Sequence, residues 1–325
     1  MKILIIRFSS IGDIVLTTPV IRALKKQLNA EVHFLTKIQF APVVASNPYL
    51  DKNYSLHGNL NGLIRELRQE NYDLIVDLHK NIRSYRLRLA LKVKTLSYRK
   101  LSVEKFLLTK FGIDFMPKRH ITLRCLDALK PLGVVDDGAG LDYFIPPNDE
   151  VTLDQLPVPH RGGFIAIVIG ASYYTKKLPL EKLKELCAAI NDNVVLIGGK
   201  EDFTEGEAVA AIQPEKIYNA CGKFNLNASA DLIRKSRMVI SHDTGMQYIA
   251  SAVGKKILAI WGGTSPKLDV EPYYGSQSNL NRHKNFVVPG LSCQPCSNFG
   301  TKTCPKKHFN CMRLQDINAI ADAVR

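Results

Sequence analysis

Along this chain, short continuous aliphatic runs alternate with stretches whose apolar residues recur every three or four positions. Ile3-Leu4-Ile5-Ile6 reads as a strand buried on both faces. After the polar turn Arg7–Asp13, the residues Val20, Ile21, Leu24 and Leu28 share one face of a helix. Pro19 either kinks a helix that begins at Asp13 or takes the first position of one capped by Thr18. The alternation continues. Strands are predicted at Glu31–Leu35, Tyr72–Leu78 and Val93–Tyr98, with helices at Phe40–Ala45, Leu63–Gln69, Asn81–Leu91 and Val103–Leu132. Between Asp136 and Gly163, glycine- and proline-rich turns break the periodicity repeatedly. The pattern then restarts, with strands at Phe164–Ile169, Val194–Ile197, Met238–Ser241 and Lys256–Ile260, and helices at Leu180–Ile190, Ala228–Lys235 and Met246–Val253. This predicts an α/β protein of two doubly wound parallel-sheet domains, residues 1–150 and 151–325, facing each other across a cleft.

A length of 325 residues with 46% hydrophobic content fits two folded domains. No apolar run approaches the ~18 residues of a membrane span, and the first aliphatic run is shorter than a signal-peptide core of ~7–15. The expectation is a cytoplasmic protein. The formal charge of +14 is unevenly spread: Lys80–Lys130 holds 14 Lys and Arg against Glu104, Asp114 and Asp127. Such a field suits an anionic partner (nucleic acid, acidic lipid or a phosphorylated substrate), or else is a solvated lysine-rich surface.

Strand-to-helix turns are where open parallel sheets bind ligands. In the first, Gly12 permits close backbone approach and Asp13 is the one carboxylate. Ser172 and Lys176 follow the strand that ends at Ile169, where a lysine can neutralise a diphosphate. Asp243-Thr244-Gly245 stands where a helix N-terminus can take phosphate, or where a side chain simply caps its own helix. Lys177 reads as an ordinary exposed lysine. Neither a G-x-G-x-x-G after the first strand nor a G-x-x-x-x-G-K-[ST] is present, and no two aspartates are spaced D-x-D.

Taken in order, several segments resemble glycosyltransferase family 9, the heptosyltransferases. They are Ser9-Ser10-Ile11-Gly12-Asp13 with Thr18-Pro19, Asp73 to Ser84, Ser172 to Pro179, Asp243-Thr244-Gly245 with Ala250-Ser251-Ala252, and Gly262-x-Thr264-x-Pro266. Cys293-Gln294-Pro295-Cys296 and Cys311-Met312 are similar to a cysteine-bearing tail of many members. The resemblance implies a GT-B fold and an inverting transfer, without a metal or cofactor, of heptose from ADP-heptose to the lipopolysaccharide inner core. By position it implies Asp13 as general base, and Ser10, Gly12, Lys80 and Arg83 toward the acceptor. Ser172, Lys176, Thr244 and Gly245 would hold the donor phosphates, with Asp243 on the donor sugar and Glu201 toward the nucleoside. Tyr248 stands where many members have His, which leaves open a different nucleotide-sugar donor. The implied partners are the nucleotide-sugar, an anionic glycolipid and the anionic surface of the inner membrane, served by a peripheral monomer. The rival class is a basic nucleic-acid-binding protein, which leaves the second domain without a role and has no motif to support it.

Four of the seven cysteines, Cys293, Cys296, Cys304 and Cys311, have spacings C-x2-C, x7 and x6. They form either a four-thiolate zinc site or, as preferred here, reduced structural thiols.

Overall fold

A computed structural model describes residues 1–276 and 282–325. It divides the chain into two compact units. The first contains Met1–Lys100, Arg119–Phe144 and a segment beginning at Tyr273; the second contains Leu101–Lys118, Ile145–Pro272 and the C-terminal stretch. The basic stretch Lys80–Lys130 is thereby shared between units.

The chain runs β1 (Lys2–Ile6), α1 (Ile11–Val15), α2 (Thr18–Leu28), β2 (Glu31–Lys37), β3 (Lys52–Leu56), α3 (Leu60–Gln69), β4 (Leu74–Asp77), α4 (Ile82–Leu91), β5 (Thr95–Ser97), α5 (Ser102–Phe111) and α6 (Ile121–Asp127). The strands of the first unit form one parallel sheet ordered β3-β2-β1-β4-β5. Ile3 to Ile6 are fully buried in its centre, so truncating one to alanine should cost about 2–5 kcal/mol. Pro19 lies in the first turn of α2, which is separate from α1, and Thr17 rather than Thr18 is its cap residue. Inside α2, the buried Arg22 donates to Asp137 at 2.7 and 2.8 Å, to the Gly140 carbonyl at 2.8 Å and to Asp142, pinning the turn-rich segment to the first sheet's helix layer.

Then follow β6 (Ile165–Val168), α7 (Leu180–Ala189), β7 (Val194–Ile197), α8 (Phe203–Ala210), β8 (Ile217–Asn219), α9 (Leu226–Lys235), β9 (Met238–His242), α10 (Gly245–Ala252), β10 (Ile257–Ile260), β11 (His283–Phe286), α11 (Asn310–Arg313) and α12 (Ile317–Asp322). The second sheet is also parallel, ordered β11-β10-β9-β6-β7-β8.

Three expectations change. The helix expected over Phe40–Ala45 is a 3-10 segment, Ile38–Val43, with Pro42 inside it. The helix expected over Val103–Leu132 breaks between α5 and α6, because Gly112 closes α5 in the left-handed region at φ +71°. The run expected as a turn up to Asp13 becomes helical at Ile11, so Gly12 lies buried within α1 and its carbonyl accepts from Leu16 N–H.

Candidate active site

In each sheet the strand order reverses once, between β1 and β4 in the first and between β6 and β9 in the second. Loops leaving the carboxyl ends of such neighbours diverge, which is where an open parallel sheet accepts a ligand. Of the donor and acceptor residues singled out from the sequence, all but Glu201, which follows β7, lie in the loops and helices that leave these four strands.

In the first unit, Asp13 is the third residue of α1. Its Oδ2 accepts from the Ser10 backbone N–H at 3.0 Å and from the Ser10 hydroxyl at 2.9 Å, while Arg7 Nη2 lies 2.6 Å from Oδ1. Burial opposes ionisation, but Arg7 and the Ser10 bonds outweigh it and hold Asp13 below the ordinary 3.8. Of the roughly four lone-pair positions on a carboxylate these contacts take three, so about one is left on Oδ1 for a hydroxyl. Arg7 is itself buried and donates Nε to the Ser9 carbonyl at 3.1 Å and Nη1 to the Leu78 carbonyl, which joins the β1 loop to the β4 loop.

The β4 loop is shaped by Asp77, whose Oδ1 accepts from the N–H groups of His79 and Lys80 at 3.0 and 2.8 Å. His79 packs edge-on against Phe8, and burial, with Arg7 and Lys100 nearby, pushes its pKa down to about 4, so it is neutral at pH 7. Its Nδ1 is buried without a hydrogen-bond partner. The Lys80 ammonium donates to the Tyr98 carbonyl at 3.1 Å, and Lys100 donates to the Lys80 carbonyl at 3.2 Å. Arg83, at the second position of α4, is exposed. Asp13 is thus paired with Arg7, with Lys100 near enough to feel its charge and that of Asp77, a basic setting suited to an acidic hydroxyl-bearing ligand.

In the second unit the hub is Asp243, 6% exposed at the end of β9. Its Oδ2 lies 2.7 Å from Lys176 Nζ and accepts from the Thr264 hydroxyl at 2.8 Å. The Tyr248 hydroxyl sits 3.2 Å from Asp243 Oδ1 and 2.7 Å from the Val270 carbonyl, and its one proton serves the nearer acceptor. Tyr248 is therefore buried and engaged within the fold, not a free donor to a ligand. Thr244 is the cap residue of α10 but makes no side-chain cap bond, and its hydroxyl oxygen is buried with no partner. The capping role open from the sequence is not what this hydroxyl does. Together with the N–H groups that begin at Gly245, it offers an anion a polar cradle. Ser172 is exposed in the loop after β6, and Glu201 is exposed in the loop after β7, folded over Gly199.

Lys177 corrects an expectation. Its ammonium pairs with Asp202 at 2.8 Å and Glu205 at 2.6 Å, so it is a structural link between loops and not an ordinary exposed lysine.

The C-terminal tail braces this second site. Gln294 donates to the carbonyls of Trp261, Gly262 and Thr264, the N–H groups of Cys296 and Ser297 donate to the Gly263 carbonyl, and Thr301 N–H donates to the Thr175 hydroxyl. A Cβ on Gly262 would stand 2.2 Å from the Thr175 carbonyl. Gly262→Ala should accordingly push the Thr175–Lys176 turn away, costing about 1–3 kcal/mol, and weaken binding of an anionic ligand in a calorimetric titration. Unchanged binding and stability would show that the two loops move independently.

The cysteines belong to this brace. Cys311 is buried, and burial with the neighbouring thiols pushes its pKa up to about 12; burial and neighbouring thiols also raise that of Cys296. Cys293 Sγ lies 3.9 Å from His308 Nε2. Among the described residues, the group of three His, Cys, Asp or Glu side chains with ligand atoms within 4.8 Å of one another is Glu31, His33 and Glu70, none of them from the tail. Glu70 there already takes Lys2 at 2.9 Å and Lys52 at 2.6 Å. That cluster is an ion-pair network.

Arg7 and His79 were given no role from the sequence, and Thr264 and Gln294 entered only as members of longer motifs. The one available signal for Arg7 was a cation directly following a fully apolar run.

Comparison with known proteins places this geometry. The family model described as glycosyltransferase family 9 (heptosyltransferase) matches residues 61–303. Lipooligosaccharide heptosyltransferase 2 of Haemophilus influenzae is 26% identical, over 82% of this chain and 85% of that protein. Lipopolysaccharide heptosyltransferase 1 of Campylobacter coli is 24% identical, over 81% of this chain and 84% of that protein. Among solved structures, a glycosyl transferase family 9 protein from Veillonella parvula superposes with a TM-score of 0.77 at 19% identity, covering 99% of this chain and 96% of that one. The E. coli ADP-heptose lps heptosyltransferase II gives a TM-score of 0.71 at 18% identity, covering 100% and 99%.

Proposed function

The chain belongs to glycosyltransferase family 9 and is a glycosyltransferase of GT-B fold, and on that premise we propose that it moves heptose from ADP-heptose to the lipopolysaccharide inner core with inversion. The observation that carries this reading is Asp13, a carboxylate held ionised at the switch point of the first sheet with room for one more hydrogen bond. An acceptor hydroxyl attacks the anomeric carbon from the face opposite the diphosphate and passes its proton to Asp13. The bond from that carbon to the diphosphate oxygen breaks, and ADP leaves with the electron pair. No covalent enzyme intermediate forms, so one base is enough.

Charge then grows on the departing diphosphate. Lys176, the α10 N–H groups and the Thr244 hydroxyl supply preorganised compensation, which is the support for a metal-independent transfer. A diphosphate must compete with Asp243 for Lys176. Its arrival frees Asp243 to accept from a donor-sugar hydroxyl. In the first unit, Lys80, Arg83 and Lys100 favour an acidic acceptor. The proposed acceptor is a membrane glycolipid, which puts the transfer at the cytoplasmic face of the membrane. Among the described residues, no helix is long and apolar enough to cross it.

Tyr248 favours a second reading, a different nucleotide-sugar in the same site, because a buried phenol engaged with Val270 cannot supply the positive charge of a histidine. A thermal-shift screen of ADP-, GDP- and UDP-sugars in excess EDTA separates the two. ADP-heptose should raise the melting temperature by the amount mass action requires at saturating ligand. Stabilisation by a GDP- or UDP-sugar alone would replace the donor assignment.

A further inference from the structure

Lys80–Lys100 holds eight Lys and Arg and no acid, and α4 runs through it. One face of α4 is buried through Ser84 and Leu87. The opposite face shows Ile82, Tyr85 and Leu89 at 80%, 55% and 58% exposure, spaced i, i+3 and i+7 so that they form one apolar stripe. Exposed Arg83 and Arg86 run beside it. Packing of the first unit does not require this outward stripe, because Leu87 already fills the inward one.

Between α3 and α4 lies a groove of about 720 Å³, lined by Arg65, Arg68 and Arg86 together with Ile64, Leu89 and Ala90. Two of its guanidinium groups are held in place. Arg68 donates Nε and Nη2 to the Ala90 carbonyl at 3.1 and 3.0 Å, and Arg86 Nη2 lies 3.4 Å from Asn61 Oδ1. Each arginine has five N–H donors, so most stay available to a phosphate.

We propose that the α3–α4 face of the first unit is a docking surface for an anionic bilayer, with Arg65, Arg68 and Arg86 around a lipid phosphate and Ile82, Tyr85 and Leu89 entering the headgroup boundary. It rests on the reading of a membrane-borne acceptor and adds where the membrane is met. The basic stripe is complementary to an anionic leaflet. Aliphatic tips between arginines are the composition of an interfacial helix, whereas on nucleic acid Ile82 and Leu89 would meet only charged backbone and water. The outward stripe and the acid-free run lie on α4, and the arginine groove lies between it and α3, whose one acidic residue, Glu66, is exposed beside Arg65.

Flotation of the full chain with vesicles tests this, using phosphatidylcholine alone or with about 30% phosphatidylglycerol, in the absence of acceptor glycolipid and nucleotide-sugar. The wild type should bind the anionic vesicles at least about tenfold more tightly than the neutral ones and weaken as salt rises from about 0.05 to 0.3 M. Arg65→Glu with Arg86→Glu should lose at least about tenfold. Tyr85→Ser with Leu89→Ser should lose several-fold while keeping the salt dependence. Both double variants should keep the wild-type melting temperature and ADP affinity. Equal binding of wild type and both variants, no preference for anionic vesicles, or tighter binding to duplex DNA than to vesicles at matched salt would each overturn the proposal. Transfer to a soluble truncated acceptor separates the two readings. If it persists when vesicle binding fails, only the docking surface is lost; if vesicles bind but no transfer occurs, the functional reading is at fault.

Discussion

Asp13→Asn is expected to slow transfer by about 10²–10⁴ while leaving donor affinity intact. Asparagine keeps an oxygen for the Ser10 N–H and hydroxyl, yet it cannot take the proton of an attacking hydroxyl. From the sequence alone, a cap-preserving change of this kind should leave stability untouched. Arg7 alters that expectation. Its buried guanidinium loses its counter-charge while keeping the carbonyls of Ser9 and Leu78, so the variant should lose about 1–3 kcal/mol, discounted from a fully buried pair because the Asp13 side chain is 31% exposed. The sign of the pH dependence follows. A carboxylate whose folded pKa lies below the ordinary 3.8 contributes stability that is present above that value and lost as pH falls through the folded value. Thermal unfolding should therefore separate wild type from variant at neutral pH and bring them together in acid. A variant with wild-type transfer rates would reduce Asp13 to a helix cap.

Lys176→Ala should lower the transfer rate by about 10²–10³, because it removes the ammonium that meets charge developing on the diphosphate. Asp243 then keeps Thr264 as a donor but loses its counter-charge. Lys177→Ala should show the opposite profile. Asp202, 3% exposed, keeps the Gly199 N–H but loses its cation, so stability falls by about 1–3 kcal/mol while the rate per folded molecule holds. Rate constants and melting temperatures measured on both proteins distinguish the lysines. Parallel losses of rate in the two would mean that the loop acts as a block and that Lys176 has no separate contact with the donor.

What could be read from the sequence was whatever local chemistry decides. The central strands announce themselves as aliphatic runs, and Ile3–Ile6, Ile165–Val168 and Val194–Ile197 are all buried strands in the structure. The strands not foreseen are β3, β8 and β11, each at the edge of its sheet. Their sequences, Lys-Asn-Tyr-Ser-Leu, Ile-Tyr-Asn and His-Lys-Asn-Phe, are short and polar, and a neighbouring strand rather than their own propensity makes them β. The same division holds at the two half-sites. Asp13, Lys176 and Asp243 could be picked out because each comes within a few residues of the end of an apolar strand. Arg7 joins Asp13 to a carbonyl 71 residues away, and Gln294 reaches back across 32 residues to the Gly262 carbonyl. Such contacts are set by strand order, which no local window contains.

Mass spectrometry of the reaction products tests the central claim most directly. Wild-type protein is incubated in EDTA with ADP-heptose and an inner-core acceptor, and the acceptor is examined for added mass and for the configuration of the new linkage. The account predicts one added heptose per acceptor, joined with the anomeric configuration opposite to that of the donor, and free ADP in equal amount. An unmodified acceptor in the presence of ADP-heptose, alongside sugar transfer from a GDP- or UDP-sugar, or a product that retains the donor configuration, would contradict it.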